Sequence, residues 1–107
     1  MVDHELDELR REFLTEAQEK VREIESHLTA ADDAQSLERL AYLAHQLKGS
    51  GGSYGYQRIS TDAAEIEKAV EAASNNDRTS VREKIRQHIA SLNQEIDRST
   101  QELSARA

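Results

Sequence analysis

Apolar residues recur at steps of three and four along this chain, and polar or charged residues fill the positions between them. The first stripe of this kind consists of Leu6, Leu9, Phe13, Ala17, Val21, Ile24 and Leu28. Because side chains three and four positions apart lie on the same face of an α-helix, the stripe is typical of an amphipathic helix. It predicts a first helix over residues 4–29.

Three more stripes with the same spacing follow the first. They consist of Leu37, Leu40, Ala41, Ala44 and Leu47, then of Ile59, Ala63, Ile66, Val70 and Ala73, and finally of Val81, Ile85, Ile89, Leu92, Ile96 and Leu103. These stripes predict helices over residues 33–51, 57–74 and 78–103, with fraying over residues 104–107.

Short polar segments separate the stripes and supply candidate helix caps. The candidates are Asp32 or Asp33 for the second helix, and Asn76, Asp77 or Ser80 for the fourth. Their side-chain oxygens can accept hydrogen bonds from the first free N–H groups of a helix. Connections this short favour antiparallel neighbours around one core. The sequence therefore predicts an all-α protein, a single-chain antiparallel up-and-down four-helix bundle, with residues 1–107 as one domain.

Composition and charge exclude several classes of function. The chain has 107 residues and no cysteine, so it offers neither a thiolate nucleophile nor a disulfide. Its formal net charge of -7 repels nucleic-acid phosphates and anionic membrane surfaces. No apolar run approaches the roughly 18 residues of a membrane span, and the start lacks the pattern of a signal peptide. We expect a cytoplasmic protein whose partners include neither nucleic acid nor a membrane.

His45 belongs to the second predicted helix but not to its apolar face. With about 100° of rotation per residue, the histidine falls about 120° from the centre of the apolar arc, which predicts an exposed imidazole. Lys48, Gly49 and Gly52 follow at the third, fourth and seventh positions and share the same outward face.

The glycines around this histidine lower the stability of the predicted helix, so their presence requires an explanation. Glycine destabilises a helix interior by about 1 kcal/mol relative to alanine, so Gly49 and Gly52 indicate a surface kept open for a partner. The same helical phase places Ser50 and Gly51 toward the core, where small side chains permit close packing. Gly55 is expected in the turn that follows.

An exposed neutral imidazole is a competent nucleophile near neutral pH, and Lys48 supplies a positive charge one turn away. The segment from His45 to Gly55 reads HQLKGSGGSYG. It resembles the signature of histidine-containing phosphotransfer domains, His-x-Leu-Lys-Gly-Ser followed by small residues and a glycine. The chain length suits the bundle of that family, and the pair Ile66-Glu67 resembles its third core helix.

The resemblance implies a role for each residue of the segment. It makes His45 the phosphorylated residue and Lys48 the support of the phosphoryl group. Gln46, Gly49 and Gly52 would form the surface on which a partner docks.

The resemblance also implies a function and its partners. The chain would be a phosphorelay intermediate that accepts a phosphoryl group from a receiver-domain aspartate of a hybrid kinase or response regulator and passes it to another receiver. It would be a monomeric phosphocarrier rather than an enzyme, without an ATP-binding domain and without a bound cofactor, and the Mg²⁺ would lie on the partner receiver domain. Which ring nitrogen is phosphorylated stays open, as does the second polar residue that reaches His45, for which Gln57 and Arg58 are candidates.

Two other functions compete with this one. A helical adaptor bundle would use no chemistry of His45, and the phosphoacceptor part of a histidine kinase would normally carry His-Glu followed by a basic residue and proline, which this chain lacks. No metal site is expected, because the other histidines do not show the repeated Glu-x-x-His spacing of di-metal bundles. The initiating Met1 favours a standalone protein over an excised domain.

Overall fold

The computed structural model describes residues 4–30, 34–73 and 78–106, and these residues form four helices. They are α1 (His4–Ala30), α2 (Ala34–Ser53), α3 (Gln57–Ala73) and α4 (Arg78–Arg106). Each carries one of the apolar stripes read from the sequence, so hydrophobic periodicity alone located all four. None of the helices described is long and apolar enough to cross a membrane.

The helix ends differ from the sequence-based expectation at several points. α2 continues to Ser53 and α4 to Arg106, so the last residues of α4 up to 106 are helical rather than frayed. Leu103 is buried, and its carbonyl accepts a hydrogen bond of 3.3 Å from Arg11 Nη2, which ties the end of α4 to α1.

The predicted caps are only partly within the described residues. Ser80 lies inside α4 and is therefore not its N-cap. The other four candidates, Asp32, Asp33, Asn76 and Asp77, lie outside the described residues, as does the predicted end of the third helix at residue 74.

The four helices pack into an elongated helical bundle of 50 × 19 × 18 Å. α1 packs against α2 and α4, and α3 packs against the same two helices. Within the described ranges, the backbones of α1 and α3 do not lie next to each other, and neither do those of α2 and α4. This arrangement places α2 between α1 and α3, so a residue at either edge of the outward face of α2 has a neighbouring helix beside it.

The core consists mainly of the inward stripes. Leu14, Leu43 and Ala69 are also buried although the periodic pattern omitted them, whereas Leu9, assigned to the first stripe, is 47% exposed. In the first turns of α1 the buried side contains Asp7 and Leu14, seven positions apart. Leu9 lies about 200° from Asp7 around the helix and therefore faces outward.

A Schellman motif ends α2 immediately after the glycine-rich segment. Gly55 has a φ of 83°, in the left-handed region that favours glycine. The N–H of Tyr56 donates to the carbonyl of Gly51 (2.8 Å), and the N–H of Gly55 donates to that of Gly52 (3.1 Å), which is the hydrogen-bond pattern of this cap. The predicted turn at Gly55 is thus a helix C-terminus that satisfies the last carbonyls of α2.

Two tyrosines fix the turn between α2 and α3 on α1. The rings of Tyr54 and Tyr56 both stack with the ring of Phe13, with centroid distances of 5.1 and 5.8 Å. Arg10 Nε also donates a hydrogen bond of 3.4 Å to the carbonyl of Tyr54. These contacts hold the end of α2, and with it the segment that follows His45, against the body of the bundle.

Candidate functional site

His45 lies on the outward face of α2 between two buried neighbours. Ala44 and Leu47 are almost fully buried, whereas the His45 side chain is 64% exposed. The packing of α2 therefore holds the histidine on the surface, as its helical phase predicted.

Glu67 of α3 is the polar side chain that reaches the imidazole. Its Oε2 lies 2.9 Å from His45 Nδ1, and its Oε1 accepts a hydrogen bond of 2.7 Å from Lys48 Nζ. One half-buried carboxylate therefore joins the two predicted site residues across the α2–α3 interface. Gln57 and Arg58, the candidates from sequence, are both exposed at the start of α3 and do not make this contact.

The protonation of this pair follows from its electrostatics. The hydrogen bond from Lys48 lowers the pKa of Glu67 below its ordinary value, and the hydrogen bond from His45 acts in the same direction, while partial burial opposes both. An ionised carboxylate can only accept hydrogen bonds, so Nδ1 of His45 carries the proton. The lone pair of the neutral ring is then on Nε2.

Lys48 lies one turn beyond His45, and its ammonium group is bound to Glu67. Its positive charge is thus offset by a carboxylate in the structure as it stands. Support of a phosphoryl group by Lys48 stays a prediction.

The glycines near His45 divide by the space around them. An ideal Cβ on Gly49 would meet nothing within 4 Å, and one on Gly52 would meet only Ser60 Oγ at 3.7 Å. A Cβ on Gly51 would lie 3.1 Å from the backbone nitrogen of Ser60 and 3.2 Å from Ile59 Cγ2, because α3 approaches α2 closely there. The surface beside His45 is therefore open, and Gly51 is a packing position.

Gln46 and Ser50 flank the histidine on the side of α2 that faces α1. Ser50 is half-buried and lines an open cleft with His45, rather than packing in the core as its phase suggested. Gln46 Nε2 donates a hydrogen bond of 2.8 Å to the hydroxyl of Tyr42, whose ring is half exposed. The histidine thus has polar and small neighbours along its own helix.

Sequence reasoning missed Glu67 as a site residue, although one signal pointed to it. Ala63 and Val70, four positions before and three positions after it, belong to the buried stripe of α3. A charged residue between two buried positions of this stripe lies at the edge of the surface that α3 packs against its neighbours. The sequence does not say which neighbouring helix Glu67 contacts there, because that depends on tertiary packing.

Another histidine–carboxylate contact lies between α3 and α4. His88 Nδ1 is 3.0 Å from Asp62 Oδ1, and Ser91 Oγ donates a 2.6 Å hydrogen bond to Asp62 Oδ2. This histidine is more buried than His45, with a side chain 24% exposed. Across the parts of the chain that the structure describes, no three His, Asp or Glu side chains form a group that could hold a metal ion.

The fold and the site together define a helical bundle in which an exposed histidine, bound to a carboxylate, lies beside an open glycine face. The family model for the Hpt domain matches residues 8–105, nearly the whole chain. The chain therefore belongs to the Hpt domain family, whose members are phosphotransfer modules of two-component signalling without a kinase domain of their own. Comparisons with curated proteins and with solved structures gave no match.

Proposed function

We propose that this chain is a phosphorelay intermediate in which His45 carries the phosphoryl group. It accepts the group from a receiver-domain aspartate of a hybrid kinase or response regulator and passes it to the aspartate of another receiver. The observation that carries the proposal is the contact of Glu67 with Nδ1 of the exposed His45, which leaves Nε2 as the nucleophilic nitrogen.

The transfer step can be written with this geometry. The lone pair of Nε2 attacks the phosphorus of the aspartyl phosphate, a P–N bond forms, and the P–O bond to the aspartate breaks, so that the aspartate leaves as a carboxylate. The ring becomes a cation that still carries its proton on Nδ1. The carboxylate of Glu67 stabilises that charge, because it lies within hydrogen-bond distance of Nδ1. The return transfer reverses each of these changes.

The partner receiver completes the site in this proposal. It supplies the Mg²⁺, and this chain binds no cofactor. Gly49 and Gly52 leave room for the receiver to bring its aspartate to Nε2, since in-line transfer requires donor and acceptor atoms close together. Gln46 flanks the docking surface, and Lys48 supports the phosphoryl group from the α3 side.

We further propose that the helices run antiparallel in an up-and-down bundle and that the protein acts as a monomer. Three residues connect α2 to α3, and each helix packs against its neighbours in sequence, both of which support that topology. Four helices in one chain supply a core without a second copy, unlike the two-chain bundle of a histidine kinase. A cytoplasmic location stays a prediction.

The test is the intact mass of the protein after incubation with phosphorylated receiver domains and Mg²⁺. We expect wild type to gain one acid-labile, alkali-stable phosphoryl group and His45→Gln to gain none while keeping its helicity. His88→Gln is the matched control, because His88 has the same kind of carboxylate contact at Nδ1 but is not on the open face. It should be phosphorylated like wild type.

Two outcomes would contradict the proposal. Phosphorylation of His45→Gln would move the site elsewhere, and no phosphorylation of wild type by any receiver would favour the helical adaptor.

A further inference from the structure

A cleft between α1 and α2 opens directly beside His45. Its lining includes Lys20 from α1 and His45, Gly49 and Ser50 from α2. Lys20 and Lys48 therefore stand on different sides of the histidine, because Lys48 is bound to Glu67 of α3.

Lys20 is half-buried, yet it has no hydrogen bond or ion pair to any residue that the structure describes. Its neighbours on the same side of α1, Ala17 and Ile24, are fully buried, so the stem of the lysine lies along the apolar face. The ammonium group is left available to the cleft.

The charges around His45 show why such a cation matters. With a neutral imidazole, the positive charge of Lys48 and the negative charge of Glu67 cancel. A phosphoryl group on the ring carries a charge of about -2 near neutral pH, and the cationic ring offsets about one unit of it, so the site gains a net negative charge. The phosphoryl group would lie close to the carboxylate of Glu67, and Lys48 is already shared with that carboxylate. An unshared cation is needed to offset the added charge, and Lys20 lines the same cleft as the imidazole.

We propose that Lys20 binds the phosphoryl group on His45 from the α1 side. Glu67 occupies Nδ1, so the group is attached to Nε2, on the edge of the ring left free by α3. The flexible stem of Lys20 brings its ammonium group to the phosphoryl oxygens. This inference rests on the proposed phosphorelay function and adds a residue to its site.

The experiment uses phosphoramidate as a small phosphoryl donor, so that receiver docking does not enter the measurement. Nε2 forms the P–N bond, and the P–N bond of the donor breaks to release ammonia. Lys20→Met and Lys20→Gln remove the charge and keep a chain of similar length, and Lys20→Arg restores the charge. Lys84→Gln is the matched control, because it removes one positive charge from an exposed position of α4, whose backbone is not adjacent to α2 in the described ranges.

Two quantities are measured, the rate of phosphorylation and the pKa of the bound phosphoryl group by ³¹P NMR. In Lys20→Met and Lys20→Gln we expect the rate to fall about two- to fivefold, the effect of one exposed ion pair, and the pKa of the phosphoryl group to rise. Lys20→Arg and Lys84→Gln should behave like wild type. A purely structural role of Lys20 would not move the phosphoryl pKa, and helicity is recorded for every variant.

The possible failures are distinguishable. Equal rates and equal phosphoryl pKa values in wild type and both neutral variants would overturn the role of Lys20 and leave the phosphorelay function standing. No phosphorylation of wild-type His45 by phosphoramidate or by receivers would overturn the function, and the role of Lys20 with it.

Discussion

Glu67 gives His45 a defined chemical state. A surface histidine without a partner interchanges its two neutral tautomers, whereas a carboxylate at Nδ1 selects the tautomer with its lone pair on Nε2. The same carboxylate is held in place by Lys48, which also lowers its pKa. In the proposed transfer, the residue that selects the tautomer of His45 is therefore on a different helix from the histidine.

Replacement of this carboxylate should slow transfer without removing the acceptor. In Glu67→Gln the amide oxygen can still accept the Nδ1 proton, but the negative charge that stabilises the cationic ring is lost. A hydrogen bond to a charged group contributes about 1.5–3 kcal/mol, and Glu67 is partly exposed, so we expect the single-turnover rate from a phosphorylated receiver to fall about tenfold.

The control for this prediction lies two positions earlier on α3. Glu65→Gln removes a carboxylate that pairs with Lys68 rather than with the site, and its transfer rate should equal that of wild type. An unchanged rate in Glu67→Gln would show that the contact with Nδ1 has no part in transfer.

At the scale of one element, two glycines of α2 only two positions apart have opposite surroundings. Gly49 faces open space and serves no packing contact, whereas Gly51 lies where the backbone of α3 comes close. Ser60 marks the same approach, because its Oγ donates a 2.8 Å hydrogen bond to the carbonyl of Lys48. The approach of α3 that Gly51 permits also brings Glu67 within reach of His45.

Alanine at these two positions should change stability in opposite directions. Gly49→Ala should raise the free energy of unfolding by about 0.5–1 kcal/mol, because alanine is the better helix former and meets no atom. Gly51→Ala should lower it by up to about 2 kcal/mol, because the cost of overpacking the α2–α3 interface exceeds the gain in helix propensity. Urea unfolding followed by circular dichroism measures both, and a stabilised Gly51→Ala would contradict the close approach.

At the scale of the whole molecule, two carboxylates with lowered pKa values connect α2 to its neighbours. The hydrogen bond from Arg39 lowers the pKa of Glu23 and joins α1 to α2, and the bond from Lys48 does the same for Glu67 and joins α3 to α2. The two ionised carboxylates therefore attach α2, the helix of His45, to α1 on one side and to α3 on the other.

The bundle should lose this stabilisation in acid. Both carboxyls have pKa values below their ordinary 4.5 in the folded protein, so their contribution is complete above pH 4.5 and is lost as the pH falls through the lowered values. We expect the double variant Glu23→Gln/Glu67→Gln to be less stable than wild type at pH 7. The difference should shrink as the pH falls below 4.5, measured as free energies of urea unfolding. A difference that stays constant with pH would contradict this assignment.

The sequence by itself determined the features that depend on neighbours along the chain. Apolar spacing located the four helices. The phase of α2 placed His45 outside the core, because the position of a residue along a helix determines the side on which its side chain lies. The motif from His45 to Gly55 was sufficient to indicate the family.

Tertiary structure alone decided which residues from other helices surround the histidine. Glu67 lies 22 residues after His45 and touches it, Lys20 comes from α1, and Leu9 is exposed although it fits the apolar spacing. Each of these depends on how the helices are rotated and how closely they approach one another. The repeat of a single stripe contains no information about the rotation of the next, so these contacts are established only when all the stripes pack together.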